Sequence, residues 1–229
     1  MVTSDLVTSW DAMMGRYQPG RADMLRTAAA TAEAALGDAP ATVLDLGGGP
    51  GTTARDLLDM WPAAQVTVAD LDPVLLALAA ATLPPSATVR SVDLRTPDWN
   101  TTLGGPYDLV LVVMTLHYLP GDRVRDVYAD IASLLRPRGL LLHADVLDDV
   151  SDTIDTVDDG TWTRWWDRAL AEPALADAAT ARATALHDVT SAEFTASTAW
   201  HRAALTAAGY REVSVPWRRG RHGLLAATR

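Results

Sequence analysis

Short apolar runs of strand character alternate along this chain with longer stretches rich in Ala and Leu. ATVLDL (41–46), QVTVADL (65–71), ATVRSVDL (87–94), YDLVLVVMTL (107–116) and GLLLHADV (139–146) read as strands. Several are too continuously apolar to have a wet face, so their middle members are expected to be buried on both sides. Between them 52–61, 73–82 and 122–135 read as helices. Pro73 suits a first helical position, where its fixed φ fits and its missing N–H is not needed. Arg136-Pro137-Arg138-Gly139 is expected to end the third helix and turn the chain into the next strand. A further helix is expected over 20–37. Strands and helices in this alternation predict an α/β fold with a mostly parallel sheet.

Beyond residue 146 the pattern changes. An acidic stretch is followed by a Trp-rich helical segment, an insertion too long for a simple crossover and expected to form a cap. Residues 197–208 read as a helix with Ser197 as N-cap and Gly209 beyond its end. YREVSVPW and HGLLAAT, joined by RRGR, then read as a closing antiparallel pair.

Composition narrows the chemistry. The 229 residues contain no Cys, which excludes thiolate metal sites and a cysteine nucleophile, and all 19 basic residues are Arg, which excludes Schiff-base chemistry. The net charge of −10 opposes nucleic acid and anionic membrane surfaces as partners. The longest apolar stretches, 74–83 and 109–116, fall well short of the roughly 18 residues of a spanning helix, and the N-terminus lacks the basic and apolar regions of a signal peptide. A cytoplasmic protein is expected.

The sharpest motif is Asp45-Leu46-Gly47-Gly48-Gly49-Pro50-Gly51, directly after the first strand and directly before a helix. Glycines there let the backbone turn tightly and approach a ligand, and the following helix presents free N–H groups and a positive dipole end. A dinucleotide fingerprint with Gly47 and Gly49 in place needs Gly or Ala at position 52, which is Thr52; the third glycine is Gly51 instead. An acid at Asp45 would repel a diphosphate and attract a methionyl ammonium. Asp70, at the second strand tip, suits ribose hydroxyls. Asp93, at the third, suits an adenine amino group, with the Leu94 N–H as a return donor.

In this order and spacing, VLDLGGGPG, VADLDPVLL, SVDLRTPDW, YDLVLVVMTLHYLP and LLRPRGLLLHADV resemble the class I S-adenosylmethionine (SAM)-dependent methyltransferases, over about residues 41–146. The resemblance implies a Rossmann-like, seven-stranded, mostly parallel sheet of order 3-2-1-4-5-7-6 with helices on both faces. It implies one domain over 1–229, divided into an N-terminal helical segment (1–40), a SAM-binding core (41–146), a cap insertion (147–196), and a C-terminal helix with an antiparallel strand pair (197–229). SAM would be the cofactor and S-adenosylhomocysteine (SAH) the product, with no metal. Gly47, Gly49 and the Thr115 backbone would meet the methionine end, with Gly48 and Gly51 in the same bend; Asp70 and the adjoining Leu71 would meet the ribose, and Asp93 and Leu94 the adenine. WDAMMGRYQPGR and AGYREVSVPW resemble small-molecule members, often from actinobacterial tailoring pathways, in which Tyr17 and Arg21 would close over the methionine end.

The acceptor is expected beyond the fourth and fifth strand tips. His117 and His143 are the candidate general bases for an acceptor O–H or N–H, although a good nucleophile needs none. Trp162 and Trp166, four apart, are expected to anchor the cap, with stacking on a flat acceptor as the alternative; Trp165 is left to line the pocket. Asp145, Asp148, Asp149, Asp152, Asp155, Asp158 and Asp159 read as a solvated face without calcium-site spacing, and Asp145 and Asp148 as groups that would favour a cationic acceptor. The expected reaction is methyl transfer to O or N, less readily to C, of a small molecule such as a natural-product intermediate. The rivals are an RNA base methyltransferase, which the charge opposes, and a non-methylating SAM-binding protein; a homodimer is left open.

Overall fold

The computed structural model describes residues 2–149 and 160–229. Its strands are β1 (Thr42–Leu46), β2 (Gln65–Asp70), β3 (Thr88–Ser91), β4 (Tyr107–Val113), β5 (Leu135–Val146), β6 (Glu212–Arg219) and β7 (His222–Thr228). Among the described residues these form one seven-stranded sheet in the order β3-β2-β1-β4-β5-β7-β6. The first five are parallel, and β7 runs antiparallel to both β5 and β6. The chain reverses between β1 and β4, so the carboxyl ends of both halves open on one crevice, the place where such sheets bind ligands.

Helices cover both faces. On one side α2 (Arg21–Leu36) and α3 (Thr52–Met60) pack Met24, Leu25, Ala28 and Leu57 against Val43, Val66, Leu109 and Leu142. On the other, α5 (Gly121–Leu134) and α8 (Thr198–Ala207) pack Val127, Tyr128, Ile131 and Leu205 against Leu44, Val110 and Leu141. Buried on both faces, β4 is apolar almost throughout, as its sequence required. A third cluster joins α1 (Val2–Tyr17) to α4 (Pro73–Thr82) and to the cap helix α6 (Thr161–Leu170), through Leu6, Trp10, Met13, Leu78, Trp165 and Ala169. Helix α7 (Ala176–Ala185) follows α6 after a break at Pro173.

The boundaries differ from the expected ones at instructive places. Strand β5 begins at Leu135, with no turn at Gly139, because Leu135 pairs with Tyr107 and Leu140 with Leu109; the intervening Arg136, Pro137 and Arg138 bulge into solvent. Strand β4 stops at Val113, where Met114 takes φ 51° and turns the chain into a short 3₁₀ turn, Leu116–Tyr118. Of the acidic stretch, Asp152, Asp155, Asp158 and Asp159 lie outside the described residues.

Candidate active site

The glycine bend is built by close approach. Gly47 has φ 71°, and a Cβ on it would stand 2.2 Å from the Thr115 Oγ1; a Cβ on Gly48 would stand 2.6 Å from an Asp45 carboxylate oxygen. Asp45 itself is 1% exposed on the α2/α3 side of β1, and its Oδ2 has no hydrogen-bond partner. Burial pushes this carboxyl up to about 7, against the pull of the Arg21 guanidinium. Arg21, from α2, donates to Thr53 Oγ1 at 2.6 Å and to Asp11 at 3.4 Å.

The neighbouring tips are tied to this bend. Asp70 accepts from the Gly49 N–H and, with its other oxygen, from the Asp72 N–H, both at 2.9 Å. Asp72 caps α4 by accepting from the Val74 N–H at 2.9 Å, and its second oxygen accepts from Arg182 Nε at 2.6 Å. Asp93 takes a two-pronged grip from Arg95, at 2.8 and 2.6 Å, which holds its carboxyl below the usual range.

One cleft of about 700 Å³ joins these groups, lined by Tyr17, Gln18 and Arg21, by Gly47, Gly48 and Gly49, by Asp70, Leu71, Asp93 and Leu94, and by Thr115 and His117. His117 Nδ1 lies 2.8 Å from Asp145 Oδ1, so Nε2 is the nitrogen available to a molecule in the cleft. Burial pulls the imidazole down, but the hydrogen bond and charge of Asp145, with the charge of Glu193, outweigh it and leave His117 above the ordinary histidine value of 6.5.

With this geometry in hand, the similarities to known proteins are specific. Residues 43–139 match the family described as a methyltransferase domain. The trans-aconitate 2-methyltransferase of Streptomyces avermitilis is 41% identical over 83 residues, 36% of this chain and 31% of that protein. The chain thus matches about a third of the length of the curated relatives. Two solved structures share the fold. Magnesium protoporphyrin IX methyltransferase from Synechocystis PCC 6803, with bound SAH, has a TM-score of 0.59 at 19% identity over 92% of this chain and 84% of its own. Human N-acetylserotonin methyltransferase in complex with SAM has a TM-score of 0.58 at 18% identity over 89% of this chain and 51% of its own. Residues 43–139 thus match a methyltransferase domain, and the fold is one this chain shares with methyltransferases of known structure.

Two observations bear on whether the residues of the cleft fit SAM. The bend leaves no room for side chains at Gly47 and Gly48, and beneath it Asp45, which does not itself line the cleft, keeps one oxygen without a partner, a carboxyl that a nearby ammonium would ionise. Among the described residues, no group of three or more His, Asp or Glu is arranged to hold a metal ion.

Several residues sit elsewhere than their sequence positions led us to expect. His143 is not in the cleft. Side chains alternate along β5, so His143 and Asp145 point together toward α5 and α8, where His143 is 1% exposed. Asp145, 3% exposed, stands behind His117 and is not a wall for the acceptor. Asp148 does not line the cleft either. Gly51 does not line it; it starts α3 with φ 80°. Trp162 and Trp166 pack against Trp10 of α1 as expected of anchors and also line the cleft, whereas Trp165 does not line it: it is 3% exposed, donating to the Leu6 carbonyl at 3.1 Å with its ring 4.7 Å from Trp10. The buried stripe of α6 that meets α1 holds Trp165, Trp166 and Ala169, with Trp162 at its edge.

Sequence reasoning missed Trp10, Gln18, Asp72, Tyr118 and Arg182, all of which line the cleft. Only Asp72 had a readable signal, since an Asp immediately before a first-turn proline is an N-cap pattern.

Proposed function

We propose that this chain is a cytoplasmic enzyme that transfers the methyl group of SAM to an O–H or N–H group of a small molecule, releasing SAH. The observation that carries this reading is one cleft lined by the glycine bend, Asp70 and His117 together. Gly47, Gly48, Asp70 and Asp93 would hold the cofactor, which supplies an electrophilic methyl group on a sulfonium. His117 Nε2 takes the acceptor proton as the acceptor oxygen or nitrogen is methylated, and the imidazolium that results is paired with Asp145. Asp145 is therefore a positioning residue. Trp162, Trp166 and Leu186 supply an apolar wall for a flat acceptor and exclude water from the transfer.

Calorimetry with SAH tests the binding half. We expect heat with the wild-type chain and none with Gly47→Ala, whose methyl group collides with Thr115. A folded wild-type chain that binds neither SAH nor SAM overturns the proposal. For the chemical half, His117→Ala should keep SAH affinity and lose roughly 10²- to 10⁴-fold in the rate of SAH formation with a productive acceptor.

A further inference from the structure

Behind His117 the hydrogen bonds continue into the core, through residues that the transfer itself does not use. Asp145 Oδ2 lies 3.3 Å from His143 Nε2, His143 Nδ1 lies 2.8 Å from the Tyr128 hydroxyl, and the same hydroxyl lies 2.8 Å from His201 Nδ1. Three elements supply the set, with Tyr128 on α5, His143 and Asp145 on β5 and His201 on α8. Tyr128, His143 and His201 are each 3% exposed or less. In so dry a place every proton has to be accounted for.

The accounting has one solution that leaves His143 neutral. Burial opposes the charge on Asp145, but the hydrogen bonds from His117 and His143 hold its carboxyl well below the usual range, so it is ionised and only accepts. His117 must then donate from Nδ1 and His143 from Nε2. A neutral His143 has its lone pair on Nδ1, so the single Tyr128 proton points there. The phenol oxygen is left to accept, and His201 donates to it from Nδ1. His201 is neutral, because burial pushes it down to about 3.

We propose that Tyr128 and His201 are positioning residues that, through His143, lock a one-directional chain of hydrogen bonds onto Asp145 and so hold His117 with its proton on Nδ1 and its lone pair on Nε2 facing the acceptor. This rests on His117 being the proton acceptor of the methyl transfer. The donors converge on Asp145 from both sides, so the chain is a clamp and not a conduit. A proton taken up by His117 has no route inward and leaves from Nε2 through the cleft once product has gone. Among the described residues, the other charged or titratable groups that bear on the chain are Tyr118 against the His117 ring, Glu193 beside His117, Asp149 toward His201, Tyr210 beside Tyr128, and His222, which lies near Asp145 on β7. None of them interrupts it.

Long-range imidazole ¹H–¹⁵N correlation spectra of the full, unliganded chain read these protons directly. The wild type should carry the His143 proton on Nε2 alone and the His201 proton on Nδ1. Tyr128→Phe leaves the His143 Nδ1 lone pair without its donor, so nothing there opposes a second proton, and a doubly protonated His143 would draw on the Asp145 charge. The pH at which His117 titrates should then fall by about half a unit or more. His201→Asn, whose amide still donates to the phenol, should keep the wild-type pattern. A wild-type His143 with its proton on Nδ1, or doubly protonated, overturns the inference, even if Tyr128→Phe fails to fold. So does a folded Tyr128→Phe with the His117 titration unmoved. SAH calorimetry on the same samples separates the two readings: heat without the tautomer pattern defeats this inference alone, and the pattern without heat defeats the methyl-transfer reading while supporting the clamp.

Discussion

Asp45 and Asp145 are both buried carboxylates on strands of one sheet, and their surroundings drive them in opposite directions. Asp145 receives two imidazole donors and the Val146 N–H, so its charge is fully met. Asp45 is left with an unpartnered oxygen and is lifted to about 7. An ammonium settling in the glycine bend would favour the ionised form of Asp45 and lower its pKa. Below about pH 7 ligand binding should therefore expel a proton, so that SAH affinity rises with pH up to about 7 and is flat above it. Calorimetry at about pH 6.5 in two buffers of different ionisation enthalpy should give different heats. Equal heats would show that Asp45 does not sense the ligand. For Asp145 the expectation concerns rate. Asparagine in its place can donate to His117 Nδ1, which moves the imidazole proton to Nε2 and occupies the lone pair that the acceptor needs. Asp145→Asn should keep SAH affinity and lose roughly 10²-fold or more in turnover. In the wild type, kcat/KM should fall as pH drops through a His117 pKa above 6.5.

Cap and core are joined at two points of different kinds. Trp165 plugs α6 into α1, and Arg182 reaches from α7 to Asp72 while lying 3.9 Å over the Trp166 ring. Trp165→Ala should cost about 3–5 kcal/mol in denaturant unfolding, as for a large buried aromatic, whereas Trp162→Ala, on the cleft wall, should cost less and raise the acceptor KM. A loss below about 1 kcal/mol for Trp165→Ala would mean that α6 is not held this way. Such distinctions mark how far the sequence could be read. The alternation of strands and helices, the glycine bend and the places of Asp70 and Asp93 at strand tips were legible because each obeys a local rule, whereas the strand order came only with the family resemblance. Helix α1 had no strong periodic signal and is defined by what it packs against. Arg182 finds Asp72 across 110 residues, and His201 finds Tyr128 across 73, separations at which no spacing rule operates. His143 failed for a different reason. Its distance from the strand tip was read correctly, but which face it would take depended on the register of β5, and the bulge at 136–138 sets where that pairing begins.

At the scale of the whole molecule, charge decides between acceptors. The relatives that methylate trans-aconitate match only about a third of this chain, and the family match ends at residue 139, before the cap residues Trp162, Trp166, Arg182 and Leu186 that wall the cleft. A polycarboxylate would need cations free to receive it. The three guanidiniums lining the cleft are each engaged: Arg21 with Asp11 and Thr53, Arg95 with Asp93, and Arg182 with Asp72. Asp70, Asp72 and Asp93 line the same cleft, and the chain as a whole carries −10. A carboxylate brought within about 4 Å of one of these acids meets a repulsion of about 1–4 kcal/mol, depending on how much water remains. Carboxylates are also already ionised at neutral pH and have no proton for His117 to remove. An uncharged aromatic alcohol or amine has such a proton and a flat face for Trp162 and Trp166. Supplied with SAM, the enzyme should form SAH with members of a phenol and arylamine panel, in a reaction abolished by His117→Ala, and should form none with trans-aconitate. Turnover of trans-aconitate that survives His117→Ala would reverse this assignment, because it would mean that a guanidinium leaves its aspartate to bind the acid and that the imidazole stands idle.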